Sequence, residues 1–122
     1  MHPCTPVPRL TGRQAEGPLM HRHCVAWSDR PDEPAANGII KRSIPGSGAS
    51  LVMVRVPAGT MGDKHSHPHE QFVQVISGSG TIETEDGAIR FIAGTVFHFP
   101  KDTRHQAIFD TETVLVETNL VA

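Results

Sequence analysis

From Gly38 to its end, the chain consists of short apolar runs separated by turns that contain glycine or proline. In several of these runs, apolar side chains recur at every second position. This alternation is typical of half-buried strands and does not match the 3.6-residue period of a helix. With 11 Gly and 10 Pro in 122 residues, long helices are disfavoured further. The sequence therefore predicts an all-β domain of about eight or nine strands, arranged as an antiparallel sandwich or small barrel.

The turns set the limits of the predicted strands. Pro57 and Gly59 end one apolar run, the segment 85–87 reads as a tight hairpin turn, and the segment 78–80 is also predicted to be a turn. The predicted strands cover residues 38–43, 51–56, 71–77, 81–84, 88–92, 96–99, 105–109 and 113–120.

The strand 71–77 has two largely apolar faces. Gln71, Val73 and Val75 share one face, and Phe72 and Ile76 lie on the other. A strand of this kind is covered on both sides, so we expect one face to line the barrel. The other is covered by a second layer, by the N-terminal arm or by another subunit. We expect a homodimer with Phe72 and Ile76 in the contact.

Residues 1–24 show no regular spacing of apolar residues, because prolines and glycines interrupt any strand or helix period. We expect a flexible N-terminal arm there and a single barrel domain over residues 25–122. His21 and His23 stand two residues apart in this arm, either as a second ligand cluster or as ordinary arm residues. Cys4 and Cys24 form no CxxC motif, and we interpret them as two unpaired thiols in a reducing compartment.

Charge and hydropathy exclude several classes of partner. The formal net charge is −2 with no basic cluster, which argues against nucleic acid. No apolar run approaches the roughly 18 residues of a membrane span, and the N-terminus lacks a signal-peptide pattern. We therefore expect a cytoplasmic protein with a small-molecule partner, acidic substrates included.

A histidine-rich stretch carries the most specific chemistry. His65 and His67 are two residues apart, so on an extended chain their side chains point the same way. Two neutral imidazoles on one face favour Zn, Fe, Ni, Cu or Mn; the alternative is an ordinary polar turn. His69 competes as a ligand, but Pro68 is expected to place it in a turn, and Glu70 reads as a nearby or surface carboxylate.

A second stretch offers further candidates. His98 shares a strand face with Val96, and if that face looks into the barrel, His98 is a candidate acid–base or substrate contact. Asp102 follows Pro100 and is a candidate for steering substrate or moving a proton; otherwise it caps a turn. Arg55 and Arg90 lie on strands, where they either bind an acidic substrate or are simply exposed.

Together the two stretches resemble the two motifs of the cupin superfamily. The first motif consists of Gly, His-x-His, Glu and Gly at fixed spacings. The second consists of Gly, Pro-x-Gly, His and Asn, also at fixed spacings. Every spacing of the first fits, with Gln in place of Glu, and the second fits with Asp for Gly and Phe for Asn. The matching residues are Gly59, His65, His67, Gln71 and Gly78, followed by Gly94, Pro100, Asp102, His105 and Phe109.

The resemblance implies a double-stranded β-helix, a jelly-roll-like barrel with one divalent metal ion (Zn, Fe, Ni or Mn) at its centre. By motif position the ligands are His65, His67, Gln71 and His105. Gln71 stands where most cupins place Glu, so either the metal is lost or the amide oxygen binds it. We favour the second, because the run 65–71 resembles small cupins that use Gln in this way, among them the uronate-linearising proteins of pectin and alginate breakdown.

The resemblance also implies a choice of functions. The first is an enzyme that moves protons on a small hydroxy-carbonyl or sugar-acid substrate, as an isomerase or tautomerase does, with His98 and Asp102 as catalytic candidates. An Fe-dependent dioxygenase is the second enzymatic option. A non-catalytic cupin that binds a small molecule or metal is the third.

Overall fold

The computed structural model describes residues 2–7 and 22–121, so the predicted role of His21 lies outside the described residues. Two compact units are present, Met1–Arg30 and Pro31–Ala122. The predicted boundary between arm and barrel lies earlier, after residue 24, and the flexibility of residues 1–24 stays a prediction. Within the described residues, no helix has the length and apolarity that crossing a bilayer requires.

The first unit contains a disulfide. Cys4 and Cys24 are joined with their Cα atoms 5.4 Å apart, so the interpretation as free thiols is wrong. The sequence showed no sign of the pairing because the two cysteines are 20 residues apart, and only the folded chain brings them together. Disulfides are typical of oxidising compartments, which weighs against the reducing compartment inferred from these cysteines.

The described residues of the second unit, 31–121, form nine antiparallel strands in two sheets, which confirms the all-β prediction. The six-stranded sheet has the order β1-β2-β3-β9-β4-β7, and the three-stranded sheet has the order β6-β5-β8. The strands are β1 (Glu33–Pro34), β2 (Ile40–Pro45), β3 (Ala49–Val56), β4 (Gln71–Ser77), β5 (Ser79–Thr84), β6 (Gly87–Ile92), β7 (Val96–Phe99), β8 (His105–Phe109) and β9 (Thr113–Leu120).

The predicted strands agree with β2 to β9 to within two residues at either end; the strand predicted over 38–43, for example, is Ile40–Pro45. Two further differences concern β1 and the turn over 78–80. The two-residue β1 was not predicted, and the predicted turn over 78–80 is mostly strand, because Gly80 lies inside β5. A Cβ at Gly80 would come within 2.1 Å of the Ile108 carbonyl oxygen and 2.6 Å of the Phe91 ring. Glycine is therefore present there for close packing between strands rather than for a turn.

The core lies between the inward faces of the two sheets. In β4 the buried residues are Gln71, Val73 and Val75, as the alternation predicted. Phe72 and Ile76 lie on the outer face, 36% and 52% exposed; this is the face expected to form the homodimer contact, and the dimer stays a prediction. The buried hydrophobic cluster comprises Val54, Val56, Val73, Val75, Ile82, Phe91, Phe99, Phe109 and Leu115.

Candidate metal centre

The two motif stretches meet through a short backbone bridge. His65, which lies outside the named strands, forms an isolated antiparallel bridge with His105 at the start of β8. The His65 amide donates to the His105 carbonyl at 3.0 Å, and the His105 amide donates to the His65 carbonyl at 2.9 Å. This pairing fixes the two histidines side by side, although they are far apart in the sequence.

Three imidazoles converge at this bridge. The ligand atoms of His65, His67 and His105 all lie within 4.8 Å of one another, and no other such cluster of His, Cys, Asp or Glu occurs in residues 2–7 and 22–121. Two nitrogens that share one ion at about 2.1 Å are at most about 4.2 Å apart. The spacing is thus close to what a single ion requires, and the residues present fit a metal.

Backbone contacts orient two of the three rings. His65 Nδ1 lies 2.8 Å from the Asp63 carbonyl oxygen, and His105 Nδ1 lies 3.0 Å from the Thr103 carbonyl oxygen. A carbonyl only accepts, so each Nδ1 carries the hydrogen and each Nε2 keeps its lone pair. This is the arrangement that positions an imidazole as a metal ligand.

Gln71 joins the cluster through the orientation of its amide. It is 2% exposed and lines the same pocket as the three histidines. Its Nε2 donates to Asn119 Oδ1 at 2.9 Å, so the Oε1 atom remains as the acceptor at the free end of the amide. Asn119 therefore acts as a positioning residue for Gln71, and sequence reasoning did not find it.

His69 is directed to the same asparagine. Its Nε2 lies 3.3 Å from Asn119 Oδ1, which can only accept. His69 stacks against His67 with 5.0 Å between ring centroids, but it is not part of the converging cluster. The structure thus brings together the three histidines and Gln71, with His69 beside them.

Burial lowers the pKa of two histidines in the cluster, His67 and His105. His105 is 5% exposed and stacks on Phe99 with the ring centroids 4.2 Å apart, and burial lowers its pKa. Burial, together with the neighbouring histidines and Lys41, lowers the pKa of His67 to about 4. Since a metal binds neutral imidazole, both ligands are in the competent form at neutral pH.

The lowered pKa of His67 predicts acid sensitivity of the metal-free protein. The unfolded chain takes up this proton near pH 6.5 and the folded chain only near pH 4. His67 therefore contributes stability that is complete above about pH 6.5 and is lost as the pH falls towards 4. We expect the melting temperature to drop across this window, and to drop less in His67→Gln. Identical pH profiles for the two proteins would contradict this explanation.

Glu117 changes the pH dependence of stability in the direction opposite to His67, because burial raises the pKa of its carboxyl group above 4.5. A raised carboxyl pKa makes the folded state bind more protons than the unfolded state, so stability increases as the pH falls through this range. Replacing Glu117 by Gln should therefore make the acid-side drop in melting temperature steeper, which separates its contribution from that of His67.

Besides the three histidines and Gln71, the pocket is lined by apolar residues and two charged ones. Its volume is about 180 Å³, and among its lining residues only Lys41 and Glu117 carry a formal charge beyond the histidines. Neither was a site candidate from sequence. In the β9 segment, Leu115, Glu117 and Asn119 alternate onto the inward face, so polar residues at inward positions were the signal that was available.

The other two predicted site residues lie elsewhere. In β7 the phenylalanines at 97 and 99 face inward, so His98 is on the outer, exposed face. There it stacks on Phe72 and its Nε2 contacts Glu70 Oε2 at 2.6 Å. The expectation that this face looks into the barrel is not met, because the two aromatic side chains occupy the interior.

Asp102 is exposed in the loop before β8, with a φ of 64°. Its backbone amide donates to the His67 carbonyl at 2.7 Å, so its backbone supports the histidine stretch. Its side chain and that of His98 line a second groove of about 510 Å³, and neither lines the pocket of the histidine cluster.

The two arginine candidates are also outside this pocket. Arg55 lies 3.8 Å from Glu112, and Arg90 lies 3.5 Å from Asp110. Both side chains are about two-thirds exposed, at 65% and 67%. They have the features of surface ion pairs.

Solved structures with this fold include several cupins. An RmlC-like cupin from Shewanella frigidimarina is 21% identical, with a TM-score of 0.76 over 84% of this chain and 93% of that one. KdgF from Halomonas sp. is 22% identical, with a TM-score of 0.68 over 78% and 90%. Ectoine synthase from P. lautus is 19% identical, with a TM-score of 0.72 over 80% and 76%. At these identities the likeness shows the fold, a cupin jelly roll.

The sequence itself matches a family model. No curated protein is similar enough in sequence to count as a relative. The cupin domain model matches residues 52–119, which is more than half of the chain and contains all four candidate ligands. The chain therefore belongs to the cupin domain family.

Proposed function

We propose that this cupin binds one divalent metal ion through His65, His67, His105 and Gln71. The observation that carries this proposal is the convergence of three imidazoles in one pocket with Gln71. The Nε2 lone pairs of His65 and His105 are free, and the Gln71 amide oxygen is left over once Asn119 holds its nitrogen. Imidazole nitrogen and amide oxygen suit Zn, Fe, Ni or Mn.

We further propose that the protein is an enzyme that moves a proton on a small hydroxy-carbonyl or sugar-acid substrate. A bound divalent ion would polarise a substrate oxygen and acidify neighbouring protons. The chain supplies three neutral imidazoles and an amide, so no ligand charge offsets that of the ion. The apolar side chains of Val54, Val73 and Leu115 form part of the pocket wall. The volume of about 180 Å³ fits a small substrate.

Elemental analysis of the purified protein tests the first proposal. We expect one equivalent of a transition metal per chain in the wild type and a loss of metal when His65 and His67 are both replaced by Ala. The matched control is the double variant His2→Ala and His98→Ala, which removes two histidines outside the cluster. Metal retained equally by both double variants would contradict the proposed site.

Deuterium exchange tests the second proposal. Hydroxypyruvate, glucuronate and unsaturated uronates are incubated with the metal-loaded protein in D₂O, and exchange at carbon is followed by NMR. Metal-dependent exchange without oxygen consumption is the expected result. Metal-dependent oxygen uptake would instead identify the dioxygenase option, and metal binding without turnover of any kind would favour the non-catalytic cupin.

A further inference from the structure

Two charged residues occupy inward positions of the six-stranded sheet. Lys41 in β2 pairs with Val54, which in turn pairs with Leu115, so Lys41 belongs to a row that faces the core. Glu117 in β9 lies between Val52 and Val73, one row away. Both side chains line the pocket that contains the histidine cluster.

The Glu117 carboxylate is an unfavourable choice for the stability of this pocket. Within the part of the chain that the structure describes, it makes no hydrogen bond and no ion pair within 4.0 Å. Its neighbours across the sheet are the aliphatic side chains of Val52 and Val73. Glu117 is half-buried and its carboxylate oxygens are not fully enclosed, so the carboxylate is partly desolvated without a protein partner, which costs free energy. An aliphatic residue there would fill the same space without that cost.

Lys41 supplies a positive charge in the same pocket as the Glu117 carboxylate. Lys41 is exposed, so its aliphatic stem can follow the wall while the ammonium stays hydrated. Its charge acts on the interior nonetheless, because it lowers the pKa of both His67 and Glu117. The pocket thus offers one cation and one carboxylate beyond the histidines and Gln71.

We propose that Lys41 and Glu117 form a recognition pair for a small hydroxy acid, in which Lys41 binds the carboxylate and Glu117 accepts a hydrogen bond from a hydroxyl. The proposal deepens the proposed function and rests on it, since it names how the substrate is held next to the histidine cluster. Both residues are specificity determinants in this arrangement. A bound hydroxy acid would supply the partner that the Glu117 carboxylate lacks.

The arrangement discriminates between ligands of similar size. A hydroxy monoacid places its one negative charge near Lys41 and its hydroxyl near Glu117. A dicarboxylate places a second negative charge against Glu117, and like charges in a poorly solvated site repel. A neutral polyol leaves Lys41 without its ion pair. Glycerate should therefore bind better than malonate or glycerol.

Calorimetric titration of the protein with its metal tests the pair, using glycerate, malonate and glycerol as probes. A charge-assisted hydrogen bond corresponds to about a 10- to 100-fold change in affinity. We expect Lys41→Met to weaken glycerate binding by that factor and Lys41→Arg to retain most of it. We expect Glu117→Gln to raise malonate affinity relative to glycerate, because the repelling charge is gone.

Two variants serve as matched controls. Lys101→Met removes a lysine, and Glu83→Gln removes a carboxylate; both residues are exposed and lie outside this pocket. Neither should change glycerate binding. The folded state of every variant is checked by its melting temperature and its amide NMR spectrum.

The outcomes separate this proposal from the proposed function. If metal binds but Lys41→Met and Lys101→Met bind glycerate equally well, the recognition pair is overturned and the metal site stands. If glycerate does not bind the wild type at millimolar concentration, the pair is overturned as well. If the protein takes up no metal while Lys41→Met alone loses glycerate, the proposed metal function fails and the pair is supported.

Discussion

Replacement of His105 by Ala is expected to lower the affinity for a divalent metal by at least about 100-fold. Loss of a residue that merely orients a ligand typically costs about 10- to 100-fold in metal affinity, and loss of a ligand itself costs more. His105 is one of three converging imidazoles, and its Nδ1 is held by the Thr103 carbonyl. The affinity is measured with zinc against a competing chelator.

His98→Ala is the matched control for this experiment. It removes an imidazole of the same barrel that lies on the outer face against Phe72, so we expect unchanged metal affinity. Because His105 also packs on Phe99, its loss creates a space and lowers stability; the titration is therefore carried out at a temperature where the variant is shown to be folded. Equal affinities of His105→Ala and His98→Ala would remove His105 from the site.

The second large effect concerns Gln71, where the chain departs from the common cupin motif. We expect Gln71→Glu to tighten metal binding by about 10- to 100-fold, which corresponds to about 1.4–2.8 kcal/mol. The carboxylate adds a negative charge in contact with the ion, although its desolvation offsets part of the attraction. The same charge reduces the polarisation of a bound substrate, so turnover should fall while affinity rises.

The asparagine next to Gln71 makes this substitution more than a change of charge. A glutamate has no N–H to donate to Asn119 Oδ1, which now accepts from Gln71 at 2.9 Å and lies 3.3 Å from His69 Nε2. Asn119 must turn its amide to donate to the carboxylate, and its Nδ2 then faces His69 Nε2, which has to give up its hydrogen to keep the contact. We expect the NMR signals of the His69 ring to shift in Gln71→Glu.

Gln71→Ala is the companion variant, and it should lower both metal affinity and turnover, because a ligand is lost and no charge is gained. Metal is titrated against a chelator, and turnover is followed by deuterium exchange. If both variants leave metal affinity unchanged, Gln71 is not a ligand. His69, which stacks on His67, then becomes the better candidate for the fourth position.

Strand alternation was enough to locate most of the strands, and the resemblance of two stretches to the cupin motifs named the four candidate ligands. His65, His67 and Gln71 are close in sequence, and a period of two determines which of their neighbours share a face. The buried positions of β4 follow that period from Gln71 to Val75. Local patterns of this kind can be read from the chain because they depend on backbone geometry alone.

Only the packed structure shows which face of β7 points inward. Alternation assigns the residues of a strand to two faces but does not say which face is buried. His98 and Val96 share one face, and Phe97 and Phe99 share the other. The two phenylalanines pack inward because they bury more apolar surface. The presence of two aromatic residues on one face was the signal that could have placed His98 outside.

Lys41, Glu117 and Asn119 could be connected to the site only by the tertiary structure. Their strands, β2 and β9, are at opposite ends of the barrel sequence, and both pair with β3. Nothing local links Asn119 to Gln71, 48 residues away. The sequence by itself determined the strand pattern and the ligand types, whereas the pairing of distant strands decided which polar side chains surround them, because such contacts depend on sheet order and register rather than on any short segment.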